Sequence, residues 1–175
     1  MPWISTYTGG RFDFDNLRPE QVKIEDIAHS LALTNRFNGH TKFPYSVAQH
    51  SILCAHLIND RRLAFDALMH DATEAYMPDL SSPLKRFLPE FKELENKIWQ
   101  QAIAPAFGLS GKYAAVKMMD IEMLITEASQ LLDCNWWKEP HWPKPIDIFI
   151  EEWTWTRAES EFLMSYYQYK GKNDN

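Results

Sequence analysis

Six stretches of this chain carry apolar residues at the three-to-four-residue spacing of one helix face, and none alternates persuasively with the two-residue period of a half-buried strand. The first carries Ile24, Ile27, Ala28, Leu31 and Phe37 and runs into the turn signal Asn38-Gly39. A second restarts after Pro44 with Val47, Leu53, Cys54 and Leu57 in a stripe. Asp60 is placed to cap the third, RRLAFDALMHDATEAY. MPDLSSPLKRFLPEF holds Pro78, Pro83 and Pro89 and reads as a structured loop with at most a short helical turn. Two longer helical patterns follow, EFKELENKIWQQAIAPAFG and GKYAAVKMMDIEMLITEASQLL. The Pro/Trp-rich connection DCNWWKEPHWPKPID then leads to the last, IFIEEWTWTRAESEFLMSYYQYK. The expectation is an all-α chain, a compact bundle of about six helices. Residues 1–23 form an extended arm turning at Gly9-Gly10, 24–132 the helical core, and 133–175 the connection and last helix, with GKNDN fraying.

A length of 175 residues suits one domain, large enough to bury roughly 70% of the surface its unfolded chain exposes. With 45% hydrophobic and 14% aromatic residues, general disorder is excluded. Cys54 and Cys134 form no CxxC or Cys/His zinc pattern, so reduced thiols are expected rather than a disulfide framework. The N-terminus lacks the basic flank and apolar run of a signal peptide, and no apolar run approaches the roughly 20 residues that cross a bilayer. A cytoplasmic protein with no membrane partner is expected. The formal charge of −6 disfavours a nucleic-acid polymer, which calls for a basic stripe. It leaves room for a small phosphorylated ligand where a metal and a few cations gather.

Against that background, His70 and Asp71 stand out, two costly polar side chains at the end of an apolar helical run. His50 lies 20 residues earlier, and the short loop at Asn59-Asp60 folds its helix back antiparallel, beside His70-Asp71. Asp120 sits among Val116, Met119, Met123 and Leu124, where a carboxylate is expensive to desolvate unless paired or bound to a cation. Two imidazoles and two carboxylates offer mixed nitrogen and oxygen ligation for one divalent transition metal, with Co, Mn or Zn favoured over Mg. Glu74, at i+4 from His70, projects from the same helix side and is suited to proton transfer. His56 follows His50 by six residues and cannot share its face, His29 reads as a packing residue, and His40 as a loop residue.

The pattern H…HD…D formed by His50, His70-Asp71 and Asp120 resembles that of the HD-domain metal-dependent phosphohydrolases. TNRFNGH…YSVAQHS, ALMHDATEAYMPDLSSPLKRF and VKMMD, all within residues 24–127, look like the corresponding blocks of bacterial HD-domain 5′-deoxynucleotidases and related phage-type enzymes. The resemblance implies a single HD domain, with Arg36 and Lys85 as phosphate contacts and Glu74, helped by Asp79, as the catalytic acid-base pair. It sets Phe37 where the deoxynucleotidases carry a tryptophan that packs on the sugar and disfavours a 2′-hydroxyl. The connection from His50 to His70 is shorter than in that family.

The implied activity is metal-dependent hydrolysis of a small-molecule deoxynucleotide, first as a 5′-deoxynucleotidase. The close rival is a deoxynucleoside triphosphate (dATP-type) triphosphohydrolase releasing tripolyphosphate. An alarmone hydrolase fits less well, because Ala75 follows Glu74 where such enzymes carry a Glu-Asp pair. A non-catalytic nucleotide-binding module is the remaining alternative. Trp136, Trp137, Trp142, Trp153 and Trp155 read as a core flank or a homo-oligomer contact rather than a base-stacking platform.

Overall fold

A computed structural model describes residues 2–109, 111 and 113–173. It is predominantly helical, as the periodicity requires. In chain order the helices are α1 (Ile24–Leu33), α2 (Val47–Leu57), α3 (Ala64–Met69), α4 (Ser82–Lys85), α5 (Pro89–Ile98), α6 (Ala104–Phe107), α7 (Ala114–Leu131) and α8 (Trp155–Asn173). A π-helical turn, Trp99–Ile103, joins α5 to α6 into one rod. Pro105 is its physical cause: lacking an N–H and crowding the carbonyl four residues back, it rules out regular α-helix there. The ladder shifts instead to five-residue spacing, and the Ala104 N–H donates to Trp99 O.

The N-terminal arm is more ordered than its sequence suggests. Trp3–Ser5 (β1) and Arg11–Asp13 (β2) pair antiparallel, with Ile4 opposite Phe12. Three-residue strands are too short to betray a period of two. Gly9, at φ +78°, makes the turn between them. Phe12 is fully buried and stacks on Tyr76 with ring centroids 4.0 Å apart, while Asp26 of α1 accepts from the Thr8 N–H at 2.7 Å. These two contacts fasten the ribbon to the bundle.

Burial of apolar area drives the assembly. α1 and α8 pack together, α2 lies against α3, α7 and α8, and α3 touches α7 and α8. Ile27, Leu31, Ile52, Leu68, Met69, Ile98, Ile103, Met123 and Phe162 fill the space between them. Asp60 does cap the way into α3: its Oδ1 accepts from the Arg62 N–H at 3.1 Å.

Three sequence expectations are corrected. First, α1 stops at Leu33, so Phe37 lies outside it, in a tight turn where Phe37 and Asn38 adopt φ +53° and +51°. Second, the α3 helix ends at Met69, and Ala72–Ala75 form a separate 3-10 turn that carries Glu74. Third, the last helix begins only at Trp155. Residues 146–151 stay non-helical because side chains claim their backbone. Thr126 Oγ1 accepts from the Ile146 N–H, Gln130 bonds the backbone of Ile148 and Ile150, and Gln49 donates to Glu151 O. The last helix continues through part of the expected fraying tail to Asn173, while Asp174 and Asn175 lie outside the described residues. No helix among the described residues is long and apolar enough to cross a membrane.

Core packing of this kind is sensitive to volume. Leu68→Ala, at a fully buried position, is expected to lower stability by about 2–5 kcal/mol. Leu33→Ala, at a position 51% exposed, should change it by less than about 0.5 kcal/mol. Urea unfolding midpoints of the two variants check both.

Candidate metal centre

Three helices converge on four donor atoms. Ser46 caps α2 by accepting from the Gln49 N–H at 3.1 Å, and the next residue, His50, points inward with a fully buried side chain. His50 Nδ1 lies 2.5 Å from Glu127 Oε1 on α7. His70, just past α3, sets its Nδ1 2.7 Å from Ala67 O. An acceptor at each Nδ1 assigns a proton there, which leaves Nε2 of each ring as the nitrogen free to ligate a metal ion at the same point. Those two nitrogens are 3.3 Å apart.

The carboxylates complete the set. Asp71 Oδ2 is 3.2 Å from His70 Nε2 and 3.8 Å from His50 Nε2, and Asp120 Oδ1 is 3.4 Å from His50 Nε2 and 3.9 Å from His70 Nε2. Facing lone pairs and anionic oxygens repel unless a cation lies among them. Burial alone would raise both carboxyl pKa values; positive charge at this point, supplied by the imidazoles when protonated and by a metal ion when they are not, overrides it and holds both Asp71 and Asp120 well below the usual carboxylate range. Metal–ligand distances of about 2.0–2.2 Å need donor–donor edges of about 2.8–3.6 Å between octahedral and tetrahedral angles. Three observed edges fall in that range and two exceed it by a few tenths of an ångström. The residues therefore fit a metal ion.

Cys54 lies one turn after His50, and the donor atoms of His50, Cys54 and His70 all lie within 4.8 Å of one another, a buried group that could bind a metal ion. Its Sγ is 3.6 Å from His50 Nε2 and 4.0 Å from Nδ1. Near-equal distances to both ring nitrogens put sulfur beside the ring, not ahead of Nε2. Asp71 and Asp120 are the better-directed partners of the two imidazoles.

Behind the donors lies a residue the sequence reading missed. Glu127 is fully buried, and its Oε1 accepts from Tyr45 Oη at 2.9 Å as well as from His50. Its Oε2 takes Arg36 Nε at 3.0 Å and Nη2 at 2.9 Å. Burial opposes its charge, yet Arg36 and His50 hold the carboxyl below its ordinary value. The available signal was spacing: Glu127 follows Asp120 by seven residues, two turns along the same face of α7.

A cavity of about 780 Å³ opens over this cluster, lined by Arg36, Phe37, His70, Asp71, Glu74, Asp79, Lys85 and Asp120. The structure thus gathers the metal, phosphate and acid-base candidates around one cavity, His50 lying just beneath with its Nε2 among the donors. Arg36 is less free than a phosphate contact suggests: with its fork on Glu127, Nη1 remains, 3.8 Å from Asp71 Oδ2. Lys85 is tied to Glu95 Oε1 at 2.9 Å. Glu74 Oε2 is buried without a hydrogen-bond partner. Burial, then the charges of Asp71 and Asp79, push its carboxyl well above the usual value, and burial raises Asp79 too. Asp66, also unnoticed in the sequence, lines the cavity with Oδ1 unpartnered. Trp136 and Trp142 line it as well, whereas Trp153 packs on the core. His29, as expected, is a packing residue, stacked on Tyr7 and 3.3 Å from Glu159.

No family model matches the chain. Two relatives do. The uncharacterized protein YfdR of Escherichia coli (strain K12) is 45% identical over 132 residues, 75% of this chain and 73% of that protein. The uncharacterized protein RCAP_rcc00048 of Rhodobacter capsulatus is 35% identical over 145 residues, 74% of this chain and 72% of its own.

Removing Glu127 leaves Arg36 buried without its partner. Glu127→Ala should cost about 3–5 kcal/mol in urea unfolding, while a paired Glu127→Ala/Arg36→Met variant should recover part of that loss.

Proposed function

This chain belongs to the family of Escherichia coli YfdR, and we propose that it is a metal-dependent HD-type phosphohydrolase acting on deoxynucleotides, foremost as a 5′-deoxynucleotidase. The observation that carries this reading is the convergence of two Nε2 lone pairs and two carboxylate oxygens, 3.2–3.9 Å apart in the measured pairs, at the base of one cavity. His50, His70, Asp71 and Asp120 would hold one divalent transition metal; imidazole ligation favours Co, Mn or Zn over Mg. Such an ion supplies Lewis-acid polarisation of a phosphoryl oxygen and lowers the pKa of water.

The chain's own groups have distinct tasks. Arg36, through Nη1, and Lys85, released from Glu95, would neutralise the charge of the phosphate. Glu74, whose surroundings favour the protonated carboxyl, donates that proton to the 5′-oxygen as its bond to phosphorus breaks. Water supplies the new oxygen on phosphorus, so the products are a deoxynucleoside and orthophosphate. Asp79, on the same wall, accepts a proton from the attacking water or steers it. Among the described residues, six carboxyl side chains line the cavity against four basic ones, Arg36, Lys85, Arg86 and Lys117. That balance with one divalent ion suits a monophosphate dianion better than a tetra-anionic triphosphate.

A second reading has its own support. The 780 Å³ volume exceeds the need of a monophosphate end, and Arg86 and Lys117, the latter paired with Asp120 at 2.6 Å, add two cations to the lining. Both features suit a triphosphohydrolase that releases tripolyphosphate.

A panel of dNMPs, rNMPs and dNTPs with Mn, Co, Zn or Mg tests both readings by the inorganic product. Orthophosphate from dNMPs is expected; tripolyphosphate from a dNTP replaces the first reading with the second. Binding without either product leaves a nucleotide-binding module. Asp71→Ala should lose the metal on dialysis, whereas Glu74→Ala should retain it and lose about 10²–10⁴ in turnover. Metal analysis beside steady-state kinetics separates the two.

A further inference from the structure

The metal donors, the phosphate contacts and Glu74 account for one part of the cavity lining; another part is of different chemistry. From Asp120, α7 continues along the wall with Ile121 and Leu124, and Leu132 follows at its C-terminus. Trp136 and Trp142 close that side, their rings in edge-to-face contact with centroids 5.8 Å apart and planes at 70°. Phe37 lies on the same lining, its ring delivered there by a left-handed backbone at φ +53°. A β-carbon in that conformation is strained, and such strain persists where surrounding structure holds a side chain in place.

The tryptophan loop is itself braced. Trp136–Lys138 form a 3-10 turn, Trp137 Nε1 donates to Cys134 O at 3.0 Å, and the Trp142 N–H donates to Glu139 O at 3.0 Å. A core flank would be sealed by the chain's own side chains, whereas Trp142 is half-buried and Trp136, 38% exposed, sits at the rim. Trp136 and Trp142 instead border the same continuous space as His70, Asp71 and Asp120.

We propose that Trp136, Trp142 and Phe37 form a stacking site for the nucleobase of the substrate. The inference rests on the hydrolase reading of the metal end. A cavity whose one continuous lining holds cations and carboxyls as well as aromatic rings matches a molecule that is phosphate at one end and a flat ring at the other. Ring faces recognise flatness and not the pattern of donors on a base edge, so purine and pyrimidine deoxynucleotides are both accepted.

The test compares a deoxynucleoside 5′-monophosphate with 2-deoxyribose 5-phosphate, which keeps sugar and phosphate and lacks the ring. Stacking is worth about 1–3 kcal/mol per base, equivalent to about 5- to 150-fold in affinity. Trp142→Ala is expected to raise KM for the nucleotide by a factor in that range and leave kcat unchanged. Trp142→Phe should restore most of the loss, and KM for 2-deoxyribose 5-phosphate should not move. The unmoved ring-free KM also certifies that the variant is folded. Equal KM values for wild type and for Trp136→Ala/Trp142→Ala on the nucleotide overturn the stacking site and leave the hydrolase reading intact. Wild-type protein that neither hydrolyses nor binds either compound overturns both.

Discussion

Everything at the centre of this molecule depends on one buried carboxylate. Glu127 has no solvent contact and accepts hydrogen from His50, Tyr45 and the Arg36 fork. Desolvating a carboxylate and a guanidinium costs several kcal/mol for each ion, which is repaid only where geometry is good and the remaining lone pairs are filled. Both conditions hold here. The consequence is mechanical: α7 is locked to α2 through His50 and to the loop after α1 through Arg36 and Tyr45. The imidazole of His50 can then present only Nε2 to the cavity. Ile150 packs over Tyr45, and the side chains of Thr126 and Gln130 stitch the segment around Ile150 to α7, so the network is shut off from water.

The cavity floor carries the costs expected of a site built for charge. Two imidazole nitrogens meet at 3.3 Å, Glu74 and Asp66 each leave an oxygen unpartnered, and Phe37 and Asn38 hold left-handed backbones. Strain of the last kind runs to about 1–3 kcal/mol per residue. A chain selected for stability alone would relieve these conflicts with apolar residues. Here they cluster within a few residues of Arg36 and His70, and the rest of the bundle, packed through Leu68, Met123 and Phe162, supplies the stability that offsets them.

The helical architecture was legible because burial on one side of a helix imposes a period on the sequence. His50, His70-Asp71 and Asp120 were legible for a related reason: charged groups at apolar positions need a partner, and the helical turns bring these four together. Other features left weaker marks. The β1–β2 ribbon is too short for alternation to register, and the π turn after Ile98 announces itself only through Pro105. Residues 146–151 have helix-compatible composition, but the side chains of Gln49, Thr126 and Gln130 claim their backbone, a tertiary effect no local pattern contains. Glu127 was hidden in the same way: its sequence neighbours suit an ordinary helix, and only its partners from α2 and the loop before it reveal its role. The tryptophans are ambiguous in one dimension, since a core flank and a cavity wall call for the same residues.

The central claim is that the two imidazoles and two carboxylates, without the neighbouring thiol, form the donor set for a single ion. X-ray absorption at the metal edge of the Co- or Zn-loaded protein addresses it directly. The account predicts a first shell of nitrogen and oxygen only, at about 2.0–2.2 Å, with imidazole outer-shell scattering. A sulfur neighbour near 2.3 Å would contradict it, placing Cys54 in the shell and displacing a carboxylate from the role assigned to it.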